Sequence, residues 1–589
     1  MTTWLHHDAG TPDRDIGIRT YWFGLALITL VAILLRTLFP LADPPWHAPS
    51  GIVWHDEGAW THNARNMALF GQWATDRWNP MFLTPVFTGL EYTSFRLFGV
   101  GLWQARLVSE VLGVLSVLWL AGALRHTAGR TAGLAGAALL ATHYTWVMWS
   151  RAALLEPTMV AFMVAALYAY ARAHGRRVWI WGLTAGACAI VSFFAKAAAA
   201  FFLAALAAEA SWSAWLAWRE ARAAGRRWRP GGAGTATLAG LALAGTFALI
   251  AFVVPYWEEF RFYNWQMSVT RKPSYTLAAI VDRASWFPVL HDFFTRMWVV
   301  VLLALGAIFS LGVRWRQATP VERLAVAWIA LGTTELLLHD VGNERRLVFL
   351  IPPLVLLAAT ILARDRRLLA EEAARVTRRH AAAAVPLVLY ALYVLTGSVT
   401  RLAFIYEIRP GVRTGALVAA LLGAALYATW PRPARWLSRT RWSLRASAAL
   451  LALVLAGDVA QFAQWAAGRT YANYDAMVAI GRWLPPGTLV HGKLANGLSL
   501  ENRIRPVFVG RGFGNYEDRL DRDDVRYVLT YTRPYLGYEG RVIRDVLDAQ
   551  PWHVLHTFPV AESPGGHDEA ALIEKGPRPP GSGPGHIPR

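Results

Sequence analysis

Apolar runs of roughly 17 to 22 residues recur along this chain with charged clusters between them, and that spacing limits the fold more than any motif does. A helix of about 20 residues crosses about 30 Å of hydrocarbon. Lipid offers the backbone no partners, so a spanning segment must satisfy its own hydrogen bonds as a helix or close into a barrel. The alternation that marks a membrane barrel is absent from these runs. With 55% hydrophobic and 16% charged residues over 589 positions, the composition excludes a soluble globular protein. We read thirteen spans, near 21–39, 103–124, 131–149, 155–171, 178–195, 197–216, 235–254, 298–313, 324–338, 347–362, 381–399, 414–429 and 443–462.

The formal net charge of +19 raises the question of nucleic acid, but the basic residues collect in alternate loops. They lie at 125–130, 172–177, 219–229, 314–323, 364–379 and 432–445. Cytoplasmic loops carry the excess of Lys and Arg, so this pattern places the N-terminus in the cytoplasm and the C-terminus outside the cytoplasmic membrane. The charge is a topology signal, and no nucleic-acid partner is expected. The one cysteine, Cys188, lies within a span, which excludes an intrachain disulfide or a cysteine metal site.

Three external segments are long enough to carry structure: 40–102, 255–297 and the region from 464 onward. In the first, Ala59 to Leu69 and Thr88 to Leu97 read as amphipathic helices ended by Gly71 and Gly99, expected to lie on the membrane surface. Past Gln464 the pattern changes to short β-type runs at 489–491, 506–509, 526–530 and 554–558 with helices between. The expected division is a transmembrane catalytic unit over 1–463, an extracytoplasmic α/β domain over 464–575, and a disordered Pro- and Gly-rich tail over 576–589.

The chemistry-bearing residues gather on the outer side. Asp56 and Glu57 follow the first span in a segment crowded with His55, His62, Asn63, Arg65, Trp54 and Trp60. A carboxylate there can simply cap the following helix, yet such polar density beside a membrane also suits a catalytic centre. Ser150-Arg151 and Glu156-Pro157 share an external turn, where Arg151 and Glu156 form either a structural ion pair or a second arm of the same site. Outer cations are few: Arg36, Lys196, Arg345 and Arg346. Each can snorkel at a span end or bind phosphate. Asp521-Arg522-Asp523 has the D-x-D spacing of nucleotide-sugar enzymes, but so short a match arises by chance and lies outside, where nucleotide sugars are not expected, and the pairs His6-His7 and His339-Asp340 are too sparse to assign a metal. No Walker loop is present to drive transport with ATP.

Four motifs together resemble the GT-C membrane glycosyltransferases, in the branch of protein O-mannosyltransferases, aminoarabinose transferases to lipid A and their RgtA-like relatives. They are the Asp-Glu pair after span one, Gly99-Val-Gly-Leu-Trp-Gln-Ala-Arg-Leu107 leading into span two, the Ser-Arg then Glu-Pro turn, and Asn343-Glu-Arg-Arg-Leu-Val-Phe-Leu-Ile-Pro-Pro353. The resemblance covers about 16–364 and implies a GT-C fold of about thirteen helices with an external α/β domain.

It also implies transfer of a hexosyl or pentosyl group from a polyprenyl-phosphate donor to a glycolipid, glycan or protein acceptor at the outer face. Asp56 takes the position of the family's base and Glu156 that of its second acid, with Glu57 beside them. Lys196, Arg345, Arg346 and Arg36 stand on the phosphate side, and His55, His62, Arg65 and Arg151 line the substrate. No cofactor is required; a divalent metal is possible but not indicated. Where aminoarabinose transferases carry Glu-Lys-Pro in the first loop, this chain has Leu83-Thr84-Pro85, so their sugar and acceptor do not carry over. The alternative is a polytopic transporter or lipid-linked sugar flippase; the inverted repeats and paired helix breaks that would favour it are not evident.

Overall fold

The computed structural model describes residues 16–45, 52–74, 79–227, 231–270, 275–286, 296–339, 347–364, 369, 372, 375–404, 410–429, 444–507, 522–532, 543–544, 546–548, 550–561 and 569–577. Arg345 and Arg346, Asp340, Asp521 and the tail beyond 577 lie outside the described residues.

Each of the thirteen apolar runs forms helix. The first nine helices of the chain are α1 (Ile18–Thr37), α2 (Asp56–Phe70), α3 (Pro85–Phe98), α4 (Leu102–Ala128), α5 (Arg130–Thr142), α6 (Tyr144–Trp149), α7 (Leu155–Ala173), α8 (Val178–Ala195) and α9 (Ala200–Ala223). Among the described residues, six helices are long and apolar enough to cross a membrane: 18–37, 102–128, 178–195, 197–223, 233–253 and 445–483. Large apolar side chains such as Leu243, Phe247, Ile250 and Leu453 stand exposed on them. In a multi-pass membrane protein such a surface faces lipid, which is as apolar as the side chains. The run read as one span over 131–149 is broken at His143, whose extended backbone separates α5 from α6 and whose Nδ1 accepts from Trp146 N at 3.3 Å.

The helices share one large core. Small residues allow close crossings: a Cβ on Gly186 would lie 2.2 Å from Leu241 N, and one on Gly234 would lie 2.2 Å from Ala210 O. The helix Ala233–Ala248 runs into one π-turn, Leu249–Val253, beside an aromatic group formed by Phe82, Phe194, Phe252, Tyr256 and Tyr263.

Toward the C-terminus lies a five-stranded mixed sheet in the order β2-β1-β3-β5-β4, with β1 Leu489–His491, β2 Arg505–Val507, β3 Tyr527–Tyr531, β4 Trp552–Pro559 and β5 Glu569–Lys575. Pairs β1–β2 and β1–β3 are parallel, while β3–β5 and β5–β4 are antiparallel. β5 escapes the sequence reading because Glu-Ala-Ala-Leu-Ile-Glu-Lys favours helix. Pairing on both sides overrides that local preference, with Val528 opposite Ile573 and Val554 opposite the same residue.

The first external segment packs against this sheet in a common core. Trp54, Ala64, Phe95 and Leu102 join Met477, Ile480, Leu494, Leu498 and Leu529 there. This overturns the expectation that the helix after Gly58 lies on the membrane surface: in α2, residues 56–59 and 61–66 are all buried. The amphipathic pattern fitted a membrane surface equally well, because sequence cannot distinguish lipid from a protein partner 430 residues away.

Candidate active site

Asp56 opens α2, and its position rests on its neighbours. Glu57 grips Arg106 of α4 with both carboxylate oxygens, at 2.8 Å to Nε and 2.7 Å to Nη2. The same Glu57 Oε1 accepts from Ala153 N at 2.9 Å, fastening the 150–156 turn to the head of α2. Arg106 completes the brace through Nη1, which donates to the carbonyls of Pro40 and Ala42 at 2.8 and 2.7 Å. A bidentate buried pair whose Nη1 donors are also met is the favourable form of such an interaction. The two adjacent carboxylates therefore differ in kind: Glu57 is committed to a brace, and Asp56 lies beside it with Oδ1 3.9 Å from Nε2 of His55.

The outer arginines are braces as well. Arg36 is wholly buried, with Nε donating to Ser150 Oγ at 2.9 Å and Nη1 to the carbonyls of Ala32 and Ala141 at 3.0 and 3.2 Å. Arg151 donates to the carbonyls of Leu35, Arg36 and Phe39 at 2.7, 2.9 and 2.9 Å and stacks 4.6 Å from the ring of Trp465. It caps the last carbonyls of α1, which lack helical partners. Arg65 donates to the carbonyls of Ser499, Asn502 and Ile504 at 2.9 to 3.0 Å. Burial lowers the guanidinium pKa of Arg151 to about 10 and of Arg65 to about 9, so both keep their charge at neutral pH. Arg36, expected on the phosphate side, Arg65 and Arg151, expected to line the substrate, and Glu57, expected in catalysis, thus all have partners within the fold that hold the site together.

His62 is buried without exposure and, by burial first and the charge of Arg65 second, is held near pKa 3 and neutral. Its Nδ1 accepts from Asn496 Nδ2 at 2.9 Å. His62 therefore faces the sheet unit as a neutral acceptor and offers a substrate no charge. The Arg151–Glu156 pair foreseen from spacing does not form in the way expected, because Glu156 takes Lys196 instead. Lys196 follows the last turn of α8 with an extended backbone, beside Phe194 of the aromatic group. Its side chain is partly exposed, 22% against 3% for Glu156.

Two features were not foreseen. Arg106 stood inside the quoted Gly-Val-Gly-Leu-Trp-Gln-Ala-Arg-Leu run, so its signal was present in the motif without a role. Glu91 of α3 carried no signal at all; it is fully buried, and neither carboxylate oxygen has a hydrogen-bond partner. Burial, reinforced by the charge of Glu57, pushes its pKa well above the usual carboxylate range, so it is a neutral acid. Among the described residues, no group of three or more His, Cys, Asp and Glu could hold a metal ion.

Comparison with known proteins bears on this geometry. Residues 84–257 match the family of dolichyl-phosphate-mannose-protein mannosyltransferases, a stretch that contains Arg106, Arg151, Glu156 and Lys196. Comparison with curated protein sequences finds no match. Among solved structures the chain is similar to ArnT from Cupriavidus metallidurans bound to undecaprenyl phosphate, at 16% identity and a TM-score of 0.51, covering 95% of this chain and 99% of that one. It is more distantly similar to the archaeal oligosaccharyltransferase AglB from Archaeoglobus fulgidus, in complex with an inhibitory peptide and a dolichol-phosphate, at 13% identity and a TM-score of 0.44, covering 94% and 74% of the two chains. Arabinosyltransferase EmbB from Mycobacterium smegmatis gives 14% identity and a TM-score of 0.40, over 77% and 42%. The chain has the fold of ArnT, and its 84–257 segment matches the family of dolichyl-phosphate-mannose-protein mannosyltransferases.

Proposed function

We propose that the protein moves a sugar from a polyprenyl-phosphate carrier to a glycolipid, glycan or protein acceptor at the outer face of the cytoplasmic membrane, with inversion at the anomeric carbon. The observation that carries this reading is the convergence of two segments about 100 residues apart in sequence: the head of α2 and the 150–156 turn meet through Glu57 and Ala153. That meeting joins the segment bearing Asp56 to the turn leading into Glu156, whose partner is Lys196.

In this scheme Asp56 accepts the proton of the attacking hydroxyl or amine as it adds to the anomeric carbon. The bond from that carbon to the carrier oxygen breaks, and its electron pair leaves with the phosphate. Negative charge grows on the leaving phosphate, and Lys196, oriented by Glu156, stands to stabilise it together with Arg345 and Arg346 of the next external segment. The aromatic group beside Lys196 supplies an apolar bed suited to a polyprenyl tail. The activated carrier drives the reaction, and no metal enters the scheme.

The reading includes a topology. The N-terminus is cytoplasmic, about thirteen helices cross the membrane within 1–463, and 464–575 forms an extracytoplasmic α/β domain. ArnT was solved with undecaprenyl phosphate, which makes that lipid phosphate the first carrier to try.

The test reconstitutes the full chain in liposomes with radiolabelled sugar phosphates of undecaprenol and follows the covalent attachment of the label. Transfer to an acceptor is expected, with Asp56→Asn slower by 100-fold or more. Movement of the label across the bilayer with its lipid linkage intact would identify a flippase instead, and full transfer by a folded Asp56→Asn protein would remove the base assignment.

A further inference from the structure

The segment 493–504 of the sheet unit touches the head of α2 more closely than packing alone requires. A Cβ on Gly58, in the first turn of α2, would lie 1.9 Å from the carbonyl oxygen of Asn496. A Cβ on Gly497 would lie 2.7 Å from the Cβ of His55, the residue before Asp56. Neither position admits a larger side chain unless backbone moves, so the two segments are in contact on both sides of Asp56. Asn496 Nδ2 donates to His62 Nδ1, one and a half turns along α2, and Arg65 one turn further donates to three carbonyls of residues 499–504.

The same segment also holds α4. Glu501 Oε1 accepts from Leu102 N at 2.7 Å, occupying a donor at the first turn of that helix. α4 carries Arg106, the partner of Glu57. The 493–504 segment therefore grips both helices whose meeting defines where Asp56 points, one through Asn496 and Gly497 and the other through Glu501. Burial keeps His62 neutral, so its bond to Asn496 joins two uncharged groups and serves placement more than stability.

We propose that Asn496, Gly497 and Glu501 are positioning residues: the sheet unit sets the direction of Asp56 by clamping the first turn of α2 against α4. This rests on Asp56 serving as the base. A side chain misplaced by about 1 Å costs on the order of 100-fold in rate, so a clamp remote from the substrate is felt in turnover.

The test uses the full chain with two variants and three readouts. Asn496→Leu removes the amide at nearly constant volume, and Glu501→Ala removes the acceptor for Leu102. Expected for each are a tenfold or greater fall in kcat with the liposome transfer assay, affinity for undecaprenyl phosphate within twofold of wild type, and at least tenfold faster amide hydrogen exchange at the head of α2. Glu501→Gln, whose amide oxygen still accepts from Leu102 N, should restore all three to within twofold, which a loss of folding would not allow. Unchanged kcat in Asn496→Leu and Glu501→Ala overturns the proposal, whether or not exchange rises. The exchange readout is independent of Asp56, so retained activity in Asp56→Asn removes the base assignment without being mistaken for failure of the clamp.

Discussion

The two ends of the helix bundle treat buried charge differently. At the end bearing the basic loops the carboxylates are met in full: Glu209 takes Arg323 at 3.0 and 2.8 Å, Glu322 takes Arg314 and Thr319, and Glu372 accepts from Ser310 and pairs with Arg314 and Arg364. At the opposite end one pair, Glu57 and Arg106, is met as fully. Around it stand polar atoms with no hydrogen-bond partner, on Glu91, Thr88, Ser109 and Glu110. A satisfied network rigidifies a bundle and is chemically inert. Polar groups left without partners carry a desolvation cost that only water or a ligand relieves, and such groups concentrate where binding occurs. At the basic end the unpartnered atoms of this network are Nε of Arg314 and Arg364, on the cations, whereas near Glu57 they include the carboxylate oxygens of Glu91 and Glu110, and that difference favours the latter end for binding.

The contrast fails first if the Glu57–Arg106 pair is dispensable. Glu57→Gln or Arg106→Met should cost about 3 to 5 kcal/mol, because each leaves a buried charge alone. For a membrane enzyme with marginal stability this reads as loss of monodisperse protein on size-exclusion chromatography and of thermal stability in detergent. A stable, fully active Arg106→Met protein would show that this pair is not a brace. On the other side, Glu156→Gln frees Lys196 from its partner without removing its charge. We expect a ten- to hundredfold fall in kcat/KM in the transfer assay with little change in melting temperature. Equal loss of stability would place Glu156 among the inert pairs.

Acid sharpens the comparison next. His62 and His491 are both buried and held near pKa 3, against 6.5 when unfolded, by burial in each case. Their folded pKa values lie below the unfolded value, so the stability they confer is complete above pH 6.5 and is lost as pH falls toward 3. Each contributes a slope approaching about 1.4 kcal/mol per pH unit in that window. Thermal melts at pH 7 and pH 5 should show the loss, and His491→Phe should reduce it by about half. The smallest effect belongs to Glu91. Its folded pKa is raised, so it weakens the fold increasingly as pH rises above 4.5 toward the folded value. Glu91→Gln, which copies the neutral acid, should leave transfer within twofold and raise the melting temperature slightly, more at pH 8 than at pH 6. A tenfold loss of transfer would instead make its proton part of the chemistry.

Much of the fold could be read from periodicity, since a helix in lipid needs only length and apolarity to declare itself. The run foreseen at 178–195 is the helix 178–195, and that at 298–313 is the helix 298–313. The site was legible in residue type but not in role. Asp56, Glu57, Arg106, Arg151 and Glu156 all stood in the quoted motifs and Lys196 among the few outer cations, yet which of them braces depends on partners distant in sequence. Glu57 and Asp56 are indistinguishable as letters; Arg106, 49 positions on, separates them. Arg65 is expected to line the substrate, and nothing local announces the carbonyls of 499, 502 and 504 that it meets. Asn496 and Glu501 lie in an unremarkable turn, and only the close approach at Gly58 reveals their importance.

That approach joins parts of the chain made far apart in time. The contact between Arg65 and Ser499 spans 434 positions, and domains form as the ribosome delivers them, from the N-terminus onward. α2 is therefore synthesised early and waits, unanchored on one side, through the insertion of the later membrane helices until the last hundred residues emerge. If Asp56 is the base that the 493–504 segment aims, a chain cut before about residue 490 lacks that segment, and transfer is expected only from chains long enough to place it on the head of α2.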